Sequence, residues 1–160
     1  MAGKTLTQEM IDALVAKLQY YKYQVAWGET IIGPLNSPPS VEPDVEYKET
    51  VLYETGSDPQ AQIISKFNAK IGLEVNDVAT ALGLLSAFKK GDNLLDSSTS
   101  RPLIFTPLTD DADAETLTFP NVFLQPEMAF NPAEGDDPNY VPLNFLAKPE
   151  VASGNLFTFA

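Results

Sequence analysis

A chain of 160 residues is long enough for one domain with a real core, burying roughly two-thirds of its unfolded surface. It contains no cysteine and no histidine, which removes disulfides, thiolate metal sites, the commonest zinc ligand and the commonest general base. The formal net charge of -12 opposes a protein that grips nucleic-acid phosphates or docks on an anionic membrane, and suits one that stays soluble at high concentration or lets a polyanion slide past.

Residues 5–20 read as an amphipathic helix. Thr5 and Gln8 have capping-box spacing, and Leu6, Met10, Ile11, Leu14, Val15 and Leu18 form one stripe. That stripe packs either on this chain's own core or on a neighbouring subunit. Residues 23–27 and 30–33 flank Gly28-Glu29 and predict a short hairpin. Four prolines between 34 and 44 predict a loop or extended arm. Val45, Tyr47, Val51 and Tyr53 then alternate as a strand with one buried face, closed by a turn at 55–59.

The clearest strand is 67–75, where Phe67, Ala69, Ile71, Leu73 and Val75 alternate with Asn68, Lys70, Gly72 and Glu74, and Lys66 starts the polar series. One face is core; the other is wet or touches a partner. Asp77 caps a helix predicted over 78–90, with Val78, Ala81, Leu82, Leu85 and Phe88 at helical spacing and Gly91 as its stop. Residues 92–100 read as a polar connection, flexible over 96–100.

The final third is Phe-rich, with strands predicted at 103–106, 116–119, 122–130, 140–147 and 156–159. Pro126 and Pro142 predict bulges or edge positions, since proline donates nothing to a ladder. The elements together predict a mainly β chain with one or two helices, an antiparallel β-sandwich or barrel with a helix laid against it.

Between Pro102 and Ala147 there is no Lys or Arg, yet Asp110, Asp111, Asp113, Glu115, Glu127, Glu134, Asp136 and Asp137 all lie there. Asp111, Asp113 and Glu115 have the alternating start of a calcium loop, but Thr116 stands where its glycine belongs and Val122 where its closing Glu belongs. Solvated turn acids account for both clusters. No phosphate loop, dinucleotide fingerprint or nucleophile elbow is present, so neither enzyme activity nor cofactor is expected. No run is long enough for a transmembrane helix and the amino terminus lacks a leader pattern, which predicts a chain made and kept in the cytoplasm unless it is carried out.

The order of blocks carries a resemblance. A short hairpin around Trp27-Gly28-Glu29 precedes an acidic strand, Glu54-Thr55-Gly56-Ser57-Asp58-Pro59 and the long strand ending Ile71-Gly72-Leu73-Glu74-Val75. A lone helix, the block from Thr116 to Asn121, Val141-Pro142-Leu143-Asn144-Phe145 and a Gly-containing turn with a last strand follow. From about residue 23 to 160 this resembles the tail tube (major tail) proteins of bacteriophages, which share a fold with the tube proteins of contractile injection and type VI secretion systems.

The resemblance implies a tail-tube barrel over 23–160; the helix read from the residues before it makes 1–22 a helical arm that has no place in the family's common core. It implies rings, usually of six, stacked into a negatively charged tube through which DNA is ejected without specific binding. Expected partners are further copies of the chain, tape-measure, tail-tip or baseplate and tail-terminator proteins, and a sheath if the tail contracts. The place implied is the virion tail, assembled in the host cytoplasm, with no membrane contact. Asp110, Asp111, Asp113, Glu115, Glu134, Asp136 and Asp137 are the lumen or ring-junction candidates, and Pro38, Pro39, Val41 and Pro43 the inter-ring arm candidates. The alternatives are a capsid-decoration protein, or a β-sandwich glycan-binding module or small acidic-site hydrolase.

Overall fold

The computed structural model describes residues 5–18 and 21–160. Helix α1 spans Gln8–Val15; the hairpin strands are β1, Tyr23–Trp27, and β2, Thr30–Ile32. The long strands β3, Ser40–Val51, and β4, Pro59–Val75, lead into helix α2, Val78–Ser86. Strands β5, Arg101–Pro107, β6, Leu117–Gln125, β7, Val141–Lys148, and β8, Thr158–Phe159, complete the chain. The fold is mainly β, with all strand pairs antiparallel, ordered β2-β1-β5-β6-β7-β4-β3, and β8 added beside β6.

Strand β6 is the corner of this arrangement. Its first half pairs with β5 and β8, and its second half with β7. Arg101 faces Val122 and Leu103 faces Phe119, so Pro120 and Asn121 together oppose Pro102. This bulge shifts the inward phase from Phe119 to Val122 and Leu124, which lets one strand serve two halves of the core. Asn121 secures it by donating to the Pro149 carbonyl (3.2 Å) and bonding Ser100. The segments predicted as strands at 116–119 and 122–130 are therefore one strand, and it stops at Gln125 before Pro126. Pro142 sits in β7 where β4 pairs but β6 has ended, an edge position within an inner strand.

The core collects Val25 and Trp27 from β1, Ile71, Leu73 and Val75 from β4, Leu103 and Phe105 from β5, and Val141, Leu143 and Phe145 from β7. Trp27 lies 5.6 Å from the Phe145 ring, donates Nε1–H to the Val122 carbonyl at 3.2 Å, and carries the Arg101 guanidinium 5.0 Å over its face. Gly28, at φ 63°, makes the turn out of β1; a side chain there would also press on Arg101 Cδ at 3.0 Å.

Several local predictions need correction. The cap of α1 is Thr7, whose Oγ1 accepts from Met10 N at 3.2 Å, while Gln8 donates to Asp12 and so does not reach back. The helix closes near Ala16; the predicted end at Tyr20 lies outside the described residues. The proline-rich loop ends at Pro39, because β3 begins at Ser40 and tolerates Pro43 as a strand bonded on one side only. The face predicted buried on β3 is exposed over most of its length. Asn68, on the polar phase of β4, is buried.

Asp77 does cap α2, accepting from Thr80 N (3.3 Å) and Thr80 Oγ1 (2.7 Å), but the helix ends at Ser86, short of the predicted Lys90. The supposedly flexible 96–100 is an ordered 3-10 turn, in which Asp96 accepts from Ser98 N and Oγ, each at 3.0 Å. Those two bonds hold the Asp96 carboxyl below its usual value. At the carboxyl end, Leu156 is buried and only Thr158–Phe159 pairs as a strand.

Candidate assembly and conduit surfaces

The polar face of the sheet formed by β3, β4, β7 and the end of β6 is an open depression of about 750 Å³. Alternation creates it: the residues between Ile71, Leu73, Leu143 and Phe145 must point away from the core. Its charged lining is Glu42, Asp44 and Glu127 against Lys66, Lys70 and Lys148, so it is balanced. The register sets Glu42 opposite Lys70 and Glu46 opposite Lys66, and Lys66 Nζ reaches Asp44 Oδ2 at 3.0 Å. Bonding to Asp44 raises the Lys66 pKa. Solvent screens a pair this exposed, so the array sets surface character more than stability. Gly72 keeps the floor low, since a Cβ there would lie 2.9 Å from Ser40 Oγ.

The predicted acidic candidates lie elsewhere. Asp110, Asp111, Asp113 and Glu115 occupy the connection entering β6, and Glu134, Asp136 and Asp137 the connection leaving it, so they belong to opposite ends of a strand roughly 30 Å long. Asp111 is a turn acid: Oδ1 accepts from Asp113 N at 3.0 Å and Oδ2 from the Tyr21 hydroxyl at 3.2 Å. Glu134 and Asp137 bridge around Gly135, at φ 63°. Among the described residues no three acids are grouped as a metal would need. Of the arm candidates, Val41 faces Ile71 and Pro43 faces Ala69 within β3, while Pro38 and Pro39 precede that strand.

The Tyr21 contact ties the first acidic loop to the chain entering β1, together with Leu108 N donating to the Lys22 carbonyl at 2.7 Å. The bond to Asp111 raises the Tyr21 phenol above its ordinary 10.0. A group with a raised folded pKa contributes fully below its unfolded value and loses that contribution as pH rises through the folded one. The tie is therefore expected to hold at neutral pH and to loosen above about pH 10. Asp111→Asn should lower the Tyr21 pKa while leaving the melting temperature within about 2 °C, since the pair is exposed. Tyrosine-resolved NMR titration reads the shift; an unmoved Tyr21 resonance would mean that the contact does not form in solution.

A third surface is the outer part of the β3–β4 hairpin. Strand β7 covers β4 only from Ala69 to Val75, so residues 59–68 pair with β3 alone, a ribbon roughly 30 Å long. Val45 and Phe67 begin its inward face, which continues beyond the body as Tyr47, paired with Ile64, then the polar pair Glu49 and Gln62, and then Val51, paired with Pro59. The large apolar side chains of that continuation are Tyr47, Ile64 and Val51. These last three are exposed, and Tyr53 at the tip is 97 % exposed. Two-stranded ribbons are marginal alone in water, and an exposed apolar sheet face signals a partner.

No protein-family model matches the chain and no curated protein matches its sequence. Solved structures do match in shape. A chain of the sheath–tube complex of the extracellular contractile injection system PVC, in the extended state, superposes with a TM-score of 0.58 at 12% identity, covering 98% of this chain and 99% of that one. This chain has a tail-tube fold. The tube-terminating cap of the anti-feeding prophage gives 0.54 at 10% identity over 89% and 90% of the two chains. The sheath/tube terminator of PVC, in the extended state, gives 0.50 at 14% identity over 89% and 96%. The tail-tube fold expected from the order of blocks is thus present. The polar sheet face and the ribbon are its features that sequence reading left unassigned. Alternation had marked 66–74 as facing a partner or water, but not which strands stand beside it.

Proposed function

We propose that the chain is a structural subunit of a tail tube, assembling into stacked rings, with six copies per ring as the resemblance implies. The observation that carries this reading is the β3–β4 ribbon, whose Tyr47, Ile64 and Val51, interrupted by the Glu49–Gln62 pair, are carried past the body of the subunit on one face and left exposed. A neighbouring copy supplies such cover, and a head-to-tail contact that repeats generates rings and stacks. The uncovered polar face of β3, β4, β7 and β6 is the lining of the channel. The acidic loops at the two ends of β6 lie at ring junctions or rims. Because the lining is charge-balanced, repulsion of a passing DNA chain falls to those loops. The sheath–tube setting of two neighbours supports a contractile tail with a sheath partner.

A tube-terminating cap and a sheath/tube terminator are among the neighbours, which supports a second reading: a ring that caps a tube and does not stack. Negative-stain electron microscopy of the purified chain decides between them. Long tubes support the first reading and single rings the second. A strictly monomeric species at high concentration, also inert towards tube ends, would remove both. The same preparation tests the channel: in a Lys70→Cys variant the cysteine-free background leaves one thiol. That thiol should react with a small maleimide in tubes and resist a polymer-linked one. Equal reaction with both would place Lys70 on the outside.

A further inference from the structure

Helix α1 has an apolar stripe that no other described residue buries. Met10, Ile11, Leu14 and Val15, with Leu6 before the helix and Leu18 after it, are all exposed, and none of the helix's residues is buried. An amphipathic helix of eight residues is marginal in isolation and gains its stability from packing that stripe. The same chain has a complementary apolar groove, about 450 Å³, between α2 and the segment after β6, lined by Leu82, Leu85, Ser86, Pro126 and Met128. Met128 is exposed on its rim. The charges around the two features are mainly of opposite sign, with Lys17 after α1 and Asp92, which accepts from Lys89 N at 2.7 Å, as the exceptions. Glu9 and Asp12 flank the stripe of α1, and the exposed Lys89 and Lys90 follow α2 at the groove's end.

We propose that α1 of one copy docks its stripe into the α2 groove of a neighbouring copy, with Glu9 and Asp12 over Lys89 and Lys90. This rests on the self-assembly reading above and assigns the amino-terminal helix to a definite surface of the next subunit. Size sets its role. The stripe from Leu6 to Leu18 runs roughly 18 Å and a helix is about 10 Å wide, giving a footprint of roughly 200 Å². A stable interface needs about 800 Å² per partner. The helix is therefore a clasp that reinforces an assembly held by larger contacts, and it does not make a dimer by itself.

The test uses two full-length chains, an isotopically heavy Leu14→Cys and a light Met128→Cys, mixed, allowed to assemble and gently oxidised. The expected result is a heavy–light disulfide between positions 14 and 128, identified by peptide mass. Glu9→Lys with Asp12→Lys on the first chain should reduce its yield several-fold, and Lys89→Glu with Lys90→Glu on the second should restore it. Rings without the 14–128 link would overturn the docking and leave the tube reading standing. The link without rings or tubes would show that α1 joins two copies unaided, which overturns its role as a clasp and removes the tube reading. In a chain carrying both cysteines, a link formed only within one molecule would show that α1 clasps its own subunit, which also overturns the proposal.

Discussion

Replacing Phe145 with alanine is expected to destabilise the subunit by about 3–5 kcal/mol, lowering the melting temperature by roughly 10 °C or more. Phe145 is 1% exposed, and it is where the two halves of the core meet: its ring lies 5.6 Å from Trp27 on β1, while its backbone pairs with Ile71 on one side and Leu124 on the other. Removing it loses the burial of a large ring and leaves a cavity that flanking strands, fixed by ladders on both sides, cannot collapse to fill. Phe119 is also buried, but its neighbours include Phe157, which is half exposed at the sheet's margin. That site can relax, so Phe119→Ala should fall at the lower end of the same range. A thermal or urea unfolding curve checks both, and an unchanged midpoint for Phe145→Ala would mean that the strand phase of β7 is wrong.

The second large effect is on assembly and leaves the subunit folded. Tyr47→Asp combined with Ile64→Asp places two charges opposite each other on the outer ribbon, where both side chains are exposed in the single subunit. The monomer should lose little more than about 1 kcal/mol, the scale of a cross-strand pair. In an assembly the two carboxylates would be buried against a neighbour without partners, a cost of several kcal/mol per contact. At 1.4 kcal/mol per factor of ten, the concentration needed for ring formation should rise at least a hundredfold, on the order of complete loss at accessible concentrations. Sedimentation velocity on the variant reads this directly. Assembly at the unmodified chain's concentration would show that the ribbon is not the joint, while a collapsed melting temperature would show that Tyr47 and Ile64 support the monomer.

Both variants depend on one division within the long hairpin. From Ala69 onward β4 has β7 beside it and its odd residues are core; before it Phe67 still packs against the core, and beyond the register shift at Ser65 the same face continues through Ile64, which is exposed. A protein that functioned as a monomer would gain little from such a strand, whereas a subunit whose sheet is completed by its neighbours gains a joint.

Much of the local structure was legible from residue order, because it rests on short-range physics. Asp77 three residues before Thr80 caps α2 whatever surrounds it, and Gly28 turns β1 into β2 because it alone takes a positive φ cheaply. The alternation from Phe67 to Val75 assigned a core face to β4, and 140–147 was legible as the strand that became β7. The mainly β class, the antiparallel plan and the resemblance to tail tubes followed from that sequence of blocks.

What only the tertiary structure decided concerns which strands stand side by side. Alternation tells that a residue points up or down, not whether anything lies above it, so the exposed ribbon on β3 and the burial of Asn68 were invisible. The bulge at Pro120 and Asn121 reverses phase within one strand, and a periodicity reading turns such a reversal into two strands. Residue order left open how the two Lys-free acidic clusters lie relative to one another; β6 runs between their connections and sets them at opposite ends of the strand. Lys66, Lys70 and Lys148, distant in sequence, are gathered by the pairing of β3, β4 and β7 onto the face proposed to line the channel. Ladder pairing between distant segments does that gathering, and no local pattern encodes it.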